Sequence, residues 1–127
     1  MGQARGNPWT TIAMEAIAAE AVLAPPGPDG PNMFRCAAPG CVSALYEAAG
    51  LRDVAEWDVG VELVTGSPAQ YWEMISEHVS LAVAALQRVG EPARERIAQA
   101  VIARASTYEE DGKIRIPGMA RCIVGTK

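Results

Sequence analysis

The side chains best suited to acid–base, metal or redox chemistry are few and widely spaced in this sequence. His78 is the only histidine, and the cysteines are Cys36, Cys41 and Cys122. One histidine leaves too few ligands for a typical zinc site, and an odd number of cysteines does not make a disulfide framework. Cys41 lies near a helix start without a base partner in the sequence. We therefore expect no metal site, and we expect reduced, buried thiols with a structural role.

Three carboxylates alternate along one predicted strand, where Glu56, Asp58 and Glu62 share a face. Paired carboxylates can carry general acid–base chemistry when their environments differ. These three instead lie on the polar face of a half-buried strand. We expect a solvated row that faces water or basic partners, and no catalytic pair.

The N-terminal part of the chain predicts two helices separated by a stiff connector. Asn7-Pro8 is placed to cap and begin a helix, and apolar residues recur at helical spacing up to Ala24. Residues 24–33 are rich in proline and glycine, so they predict a connector without regular structure. A second helix is predicted within residues 38–50.

Two later segments alternate between apolar and polar residues, as half-buried strands do. In Ala55–Leu63 the polar set is acidic, and the apolar set includes Trp57, which we expect in the core. In Ile114–Val124 the polar set is basic. Pro117-Gly118 interrupts this second segment and predicts a bulge or an edge position. Rows of opposite charge favour antiparallel pairing of the two strands.

The segment between these strands, residues 67–108, is predicted to be a helical insertion. Ser67 and Gln70 fit a capping box, and the apolar period predicts one long helix from there to about Val89. Another helix is predicted to begin at Glu91-Pro92. The whole chain of 127 residues suits a single domain. Its expected fold class is α+β, mostly helical, with an antiparallel β-pair that flanks the helical insertion.

The composition and the charge limit which partners and which cellular location we expect. The formal net charge is −4 and no basic stripe is present, so we expect no nucleic-acid partner. No apolar run approaches the roughly 20 residues of a membrane span. Glu15 and Glu20 interrupt the longest N-terminal apolar stretch, which argues against a signal peptide. We expect a cytoplasmic protein, and the dominance of arginine among the basic residues hints at a bacterial source.

Four segments carry a more specific likeness. They are Asn7-Pro8-Trp9, a helix that ends in Ala-Gly-Leu and leads into a strand at 39–54, Ser67-Pro68 with Tyr71-Trp72, and 116–125. In this order they resemble class I S-adenosylmethionine (SAM)-dependent methyltransferases, and the ubiquinone/menaquinone-biosynthesis-like group in particular. The resemblance covers nearly the whole chain. It implies a partial Rossmann-like methyltransferase fold, whose last strand forms a hairpin with the sixth strand.

The segments of this chain resemble the C-terminal half of the proteins in that family. Family members bind SAM at a glycine-rich turn after the first strand and hold the ribose with an acidic residue after the second. This sequence lacks such a turn, because Gly27-Pro28-Asp29-Gly30 follows no strand and lies among prolines. SAM is thus the cofactor of the intact family, and we expect no SAM binding by this chain alone.

The resemblance also implies that this half builds the acceptor side of the pocket, where catalysis depends on holding the acceptor in line with the methyl group. His78 could act as a general base, but no companion residue supports it, so no catalytic residue is assigned. For Trp9 and Trp72 a purely structural role in the core remains an alternative. The candidate substrate-binding residues are Trp9, Met14, Phe34, Tyr71, Trp72 and His78.

The leading functional hypothesis is therefore the acceptor-side region of a SAM-dependent methyltransferase that acts on a small organic molecule and is inactive alone. Two alternatives remain open. One is a non-enzymatic module that dimerises or binds a small molecule, and the other is a truncated gene fragment. The expected partners are a small-molecule acceptor and either a separate SAM-binding half or a second copy of the chain. No membrane partner is expected.

Overall fold

The computed structural model describes residues 6–21 and 34–127, and within them the chain has an α+β fold, as predicted. The predicted connector at residues 24–33 lies outside the described residues. In chain order the elements are α1 (Pro8–Glu20), α2 (Cys41–Ala48), β1 (Arg52–Thr65), α3 (Pro68–His78), α4 (Ser80–Leu86), α5 (Glu91–Ser106), β2 (Glu109–Glu110) and β3 (Lys113–Thr126).

The start of α3 has the predicted capping box. The N–H of Gln70 donates to the Ser67 hydroxyl at 3.2 Å, and the N–H of Ser67 donates to Oε1 of Gln70 at 2.8 Å. Pro68 fills the first helical position, where the missing N–H would have no partner inside the helix. These local bonds begin the helix immediately after β1 ends.

The prediction of one helix up to Val89 is wrong, because the helix breaks at Val79. This residue has extended backbone angles, φ −86° and ψ 103°, between α3 and α4. The apolar period runs through the break and so does not reveal it. A β-branched residue has reduced helix propensity, which makes this a low-cost position for a break. The change of direction lets α4 bury Ala82 and Leu86 in the core.

The sheet is built on a long antiparallel pair. β1 and β3 are in register from Ala55 opposite Val124 to Thr65 opposite Ile114, and β2 pairs with the first residues of β3 on its other side. Among the described residues the order is therefore β1-β3-β2, and β1 is an edge strand.

The acidic row of β1 meets the basic row of β3, as the sequence predicts. Oδ1 of Asp58 lies 2.9 Å from Nε of Arg121, and Oε1 of Glu62 lies 2.8 Å from Nη1 of Arg115. Because the carboxylate of each pair is exposed to solvent, each pair contributes about 1 kcal/mol at most. Their main effect is to favour this strand register over shifted ones.

Pro117 lies in β3 without a bulge, since the register with β1 is continuous through it. The N–H of Arg115 donates to the Tyr108 carbonyl at 3.0 Å, and the N–H of Met119 donates to Oδ1 of Asn7 at 3.1 Å. Both donors face the side of β3 away from β1. Pro117 lies between them, so its missing N–H is on this same far edge. Of the two predicted alternatives, the edge position is correct.

The core lies between α1, α3, α4 and α5 and the N-terminal end of β3. At its surface, α5 is tied to α1 by an ion pair of 2.9 Å between Arg96 and Glu20. The largest fully buried side chains are Tyr71, Ile17, Ile75, Leu86, Ile97, Ile114, Ile116 and Val101.

The prediction that Trp57 belongs to the core is wrong, because the residue is 50% exposed. From this face of the sheet the core takes only Leu63, Ile114 and Ile116. The strands extend beyond the helical layer, and only the end near Leu63 is covered. The remaining apolar side chains of this face stay at least partly exposed. We call this set the apolar strand face; it comprises Trp57, Val59, Val61 and Val124.

Candidate acceptor site

Asn7 is a buried residue that joins the start of α1 to β3. Its Nδ2 donates to the Met119 carbonyl at 3.2 Å, and its Oδ1 accepts from the Met119 N–H and from Nε1 of Trp9, both at 3.1 Å. The predicted side-chain cap is therefore wrong: Asn7 precedes α1, but its amide bonds β3 and the Trp9 indole and accepts from no backbone N–H of the helix. With both ends of the amide bonded, Asn7 fixes the direction in which α1 and Trp9 leave the sheet.

Tyr71 connects α3 to α1 from inside the core. Its hydroxyl donates to the backbone carbonyl of Trp9, and its side chain is fully buried. Burial and the nearby Tyr108 raise the pKa of Tyr71 to about 12, so the hydroxyl stays neutral and donates at physiological pH. The structure thus brings two candidates together, with Tyr71 holding the backbone of Trp9. Tyr71 has no exposed surface of its own for a ligand.

Three further candidates are half-buried at the margin of the same core. Trp9 and Met14 lie on α1 and Trp72 lies on α3, and each packs against the buried cluster while part of it remains exposed. Aromatic rings and a thioether suit an apolar or planar ligand. None of the three ionises, so they can bind and orient a ligand but cannot transfer a proton.

The other two candidates lie elsewhere. His78 is exposed in the last turn of α3. Phe34 is half-buried in a turn before α2, and Arg121 holds this turn by donating from Nη1 to the Ala37 carbonyl at 2.8 Å. Arg121 pairs with Asp58 on the face of the sheet opposite the apolar strand face. The structure therefore does not bring the Phe34 turn to the same face of the sheet as Trp9.

Glu56 has a role that the sequence does not reveal. Its carboxylate accepts from the Gly40 N–H and from the Ser43 hydroxyl, both at 2.8 Å, at the N-terminus of α2. The Ser43 and Gly40 hydrogen bonds hold the pKa of Glu56 below its usual range. The prediction of a solvated row that faces basic partners agrees with the ion pairs of Asp58 and Glu62. It misses that Glu56 attaches α2 to the sheet, because the partner residues are distant in sequence.

The three cysteines are free thiols, and each is half-buried instead of fully buried as expected. Cys36 and Cys41 lie together at the start of α2. Burial, and then the adjacent Cys36 thiol, raise the pKa of Cys41. Cys122 lies on β3 directly opposite Trp57 and shares its face of the sheet, whereas the turn that holds Cys36 and Cys41 is attached to Glu56 and Arg121 on the other face.

Within residues 6–21 and 34–127, no group of three or more potential ligands is placed to hold a metal ion. In the same ranges, none of the helices has the length and apolarity needed to cross a membrane. No protein-family model, curated protein or solved structure matches this chain.

Proposed function

We propose that this chain is the acceptor-side region of a class I SAM-dependent methyltransferase that acts on a small organic molecule. The order of elements supports this proposal. A helix leads into an edge strand, three helices follow, and the last strand returns antiparallel to the first. This is the order implied by the four segments that resemble the family.

The observation that carries the proposal is the incomplete cover of the strand pair. Trp57 and its apolar neighbours remain exposed on one face, and beyond Ile114 no strand of the described residues pairs with the far edge of β3. In the family, the corresponding strand pair lies against a parallel sheet. A SAM-binding unit, in the same polypeptide or in another chain, would supply that sheet.

On this proposal the chain binds and orients the acceptor, and the SAM-binding unit holds the methyl donor. Trp9, Met14 and Trp72 would contact an apolar or planar acceptor, while Asn7 and Tyr71 hold α1 in place. Catalysis by alignment requires no base from this chain. On the same proposal, we place the protein in the cytoplasm.

The test is calorimetric titration with SAM, first of this chain and then of this chain copurified with a glycine-rich half. The reading frame adjoining its coding sequence is the first place to seek that half. We expect no binding by the chain alone and micromolar binding by the assembly. Affinity of the chain alone tighter than about 10 µM, roughly −7 kcal/mol, would contradict the proposal. So would an assembly that does not bind SAM.

The acceptor side is tested in the assembly with Trp72→Ala. Loss of a ring that contacts the acceptor should raise the KM for the acceptor about tenfold, which corresponds to roughly 1.4 kcal/mol. Glu73→Ala, an exposed change in the next residue of α3, is the matched control and should leave KM unchanged. An equal KM for both variants would show that Trp72 does not contact the acceptor.

A second candidate function is a non-enzymatic module that forms a homodimer through the apolar strand face. It is favoured by the exposure of Trp57, Val59, Val61 and Val124 together on one face. A symmetric pair would cover this face on both copies at once. Light scattering at micromolar concentration should then give twice the 13.4 kDa of one chain, and Trp57→Lys should restore the monomer. A strictly monomeric wild-type chain would contradict this candidate.

A further inference from the structure

Two of the three cysteines are brought together by consecutive turns ahead of α2. The N–H of Ala37 donates to the Phe34 carbonyl at 3.0 Å, and the N–H of Cys41 donates to the Ala38 carbonyl at 3.1 Å. These turns fold the chain back on itself and bring Cys41 close enough to Cys36 for the Cys36 thiol to raise the pKa of Cys41. We call residues 36–41 the dithiol turn.

The dithiol turn is attached to the sheet at two points. Arg121 donates to the Ala37 carbonyl at 2.8 Å, and the Gly40 N–H donates to the Glu56 carboxylate at 2.8 Å. Both attachments lie between the two cysteines in sequence. They hold the backbone in a conformation that keeps the thiols adjacent, so closing a bond between them requires little further ordering.

We propose that Cys36 and Cys41 form a thiol–disulfide exchange site that reacts with small linear disulfides of the glutathione type and closes to an internal disulfide. In the first step one cysteine thiolate attacks the small disulfide, forms a mixed disulfide and releases one small thiolate. The second cysteine thiolate then attacks the protein-bound sulfur of the mixed disulfide and releases the second small thiolate. In sum, two cysteine thiols are oxidised, one small disulfide is reduced, and the two protons pass to the released thiolates.

The surroundings of Cys41 affect its reactivity. Burial, and then the neighbouring Cys36 thiol, raise the pKa of Cys41 and so disfavour its thiolate, the form that attacks a disulfide. Whichever of the two cysteines attacks first, the other resolves the mixed disulfide. Cys122 lies on the opposite face of the sheet, which excludes it from this exchange without rearrangement and makes it an internal control.

The experiment uses the full chain, reduced and then incubated with glutathione disulfide, followed by alkylation of the remaining thiols and mass spectrometry of the intact chain and its peptides. We expect two thiols to be lost in favour of a Cys36–Cys41 disulfide, while Cys122 is alkylated or glutathionylated. At equilibrium with glutathione, the effective concentration of one thiol toward the other should be about 1 mM or higher. A lower value would show that the turn does not hold the thiols together.

Single variants separate this site from general thiol reactivity. Cys122→Ser should form the internal disulfide as readily as the wild type. Cys41→Ser should stop at a glutathione adduct on Cys36, and Cys36→Ser should form no internal disulfide. Separate glutathione adducts on Cys36 and Cys41 in the wild type, or an internal disulfide that includes Cys122, would overturn the proposal. Circular dichroism of each variant confirms that the comparison is made between folded chains.

Discussion

Replacement of Asn7 by alanine tests whether a single amide fixes α1 to the sheet. The residue is 4% exposed, and its side chain satisfies three groups: the N–H and carbonyl of Met119 and the indole N–H of Trp9. Leaving a buried polar group unpaired costs about 1–3 kcal/mol. Because these groups are only partly buried, we take the lower end for each and expect about 3 kcal/mol of lost unfolding free energy.

Urea denaturation followed by far-UV circular dichroism measures this change. With a slope of about 1.5 kcal/mol per molar urea, the midpoint should fall by roughly 2 M at an unchanged slope. Gln99→Ala removes another carboxamide, whose exposed hydrogen bond joins it to Glu95, and serves as the matched control. Its effect should stay within about 0.5 kcal/mol. If Asn7→Ala shifts the midpoint no more than Gln99→Ala does, the amide does not hold α1 as described.

Three further variants test the core, the exposed face and the attachment of α2. Trp57→Ala should cost about 1–2 kcal/mol of unfolding free energy, since a fully buried aromatic would cost about 3–5; a loss in the higher range would mean that the face is covered. Tyr71→Phe should cost about 1–3 kcal/mol by leaving the buried Trp9 carbonyl unpaired, and a neutral result in thermal melting would refute that bond. The pKa of Glu56 is depressed in the folded state, so its stabilisation is present above about pH 4.3 and is lost as pH falls through the folded pKa. Stability should therefore fall less steeply with acid in Glu56→Gln, and parallel curves would show that Glu56 does not attach α2.

The candidate site divides into residues that the sequence could suggest and contacts that it could not. The family resemblance suggested Trp9, Tyr71 and Trp72 as site residues, but the sequence does not separate a fully buried ring from a half-buried one. That difference depends on which neighbouring helices cover the ring. The proximity of Cys36 and Cys41 was likewise hidden, because two turns create it and the odd cysteine count argued only against a disulfide framework.

The sequence by itself determined the features that depend on neighbours a few residues away. The capping box of α3, the alternation of β1 and β3 and their opposite charges follow from local side-chain chemistry. Only the tertiary structure decided how far the helices cover β1, and hence that Trp57 is exposed. It also decided the partner of Asn7, which lies 112 residues away. The physical reason is that an apolar pattern specifies a face of an element, whereas burial of that face depends on the reach of the elements packed against it.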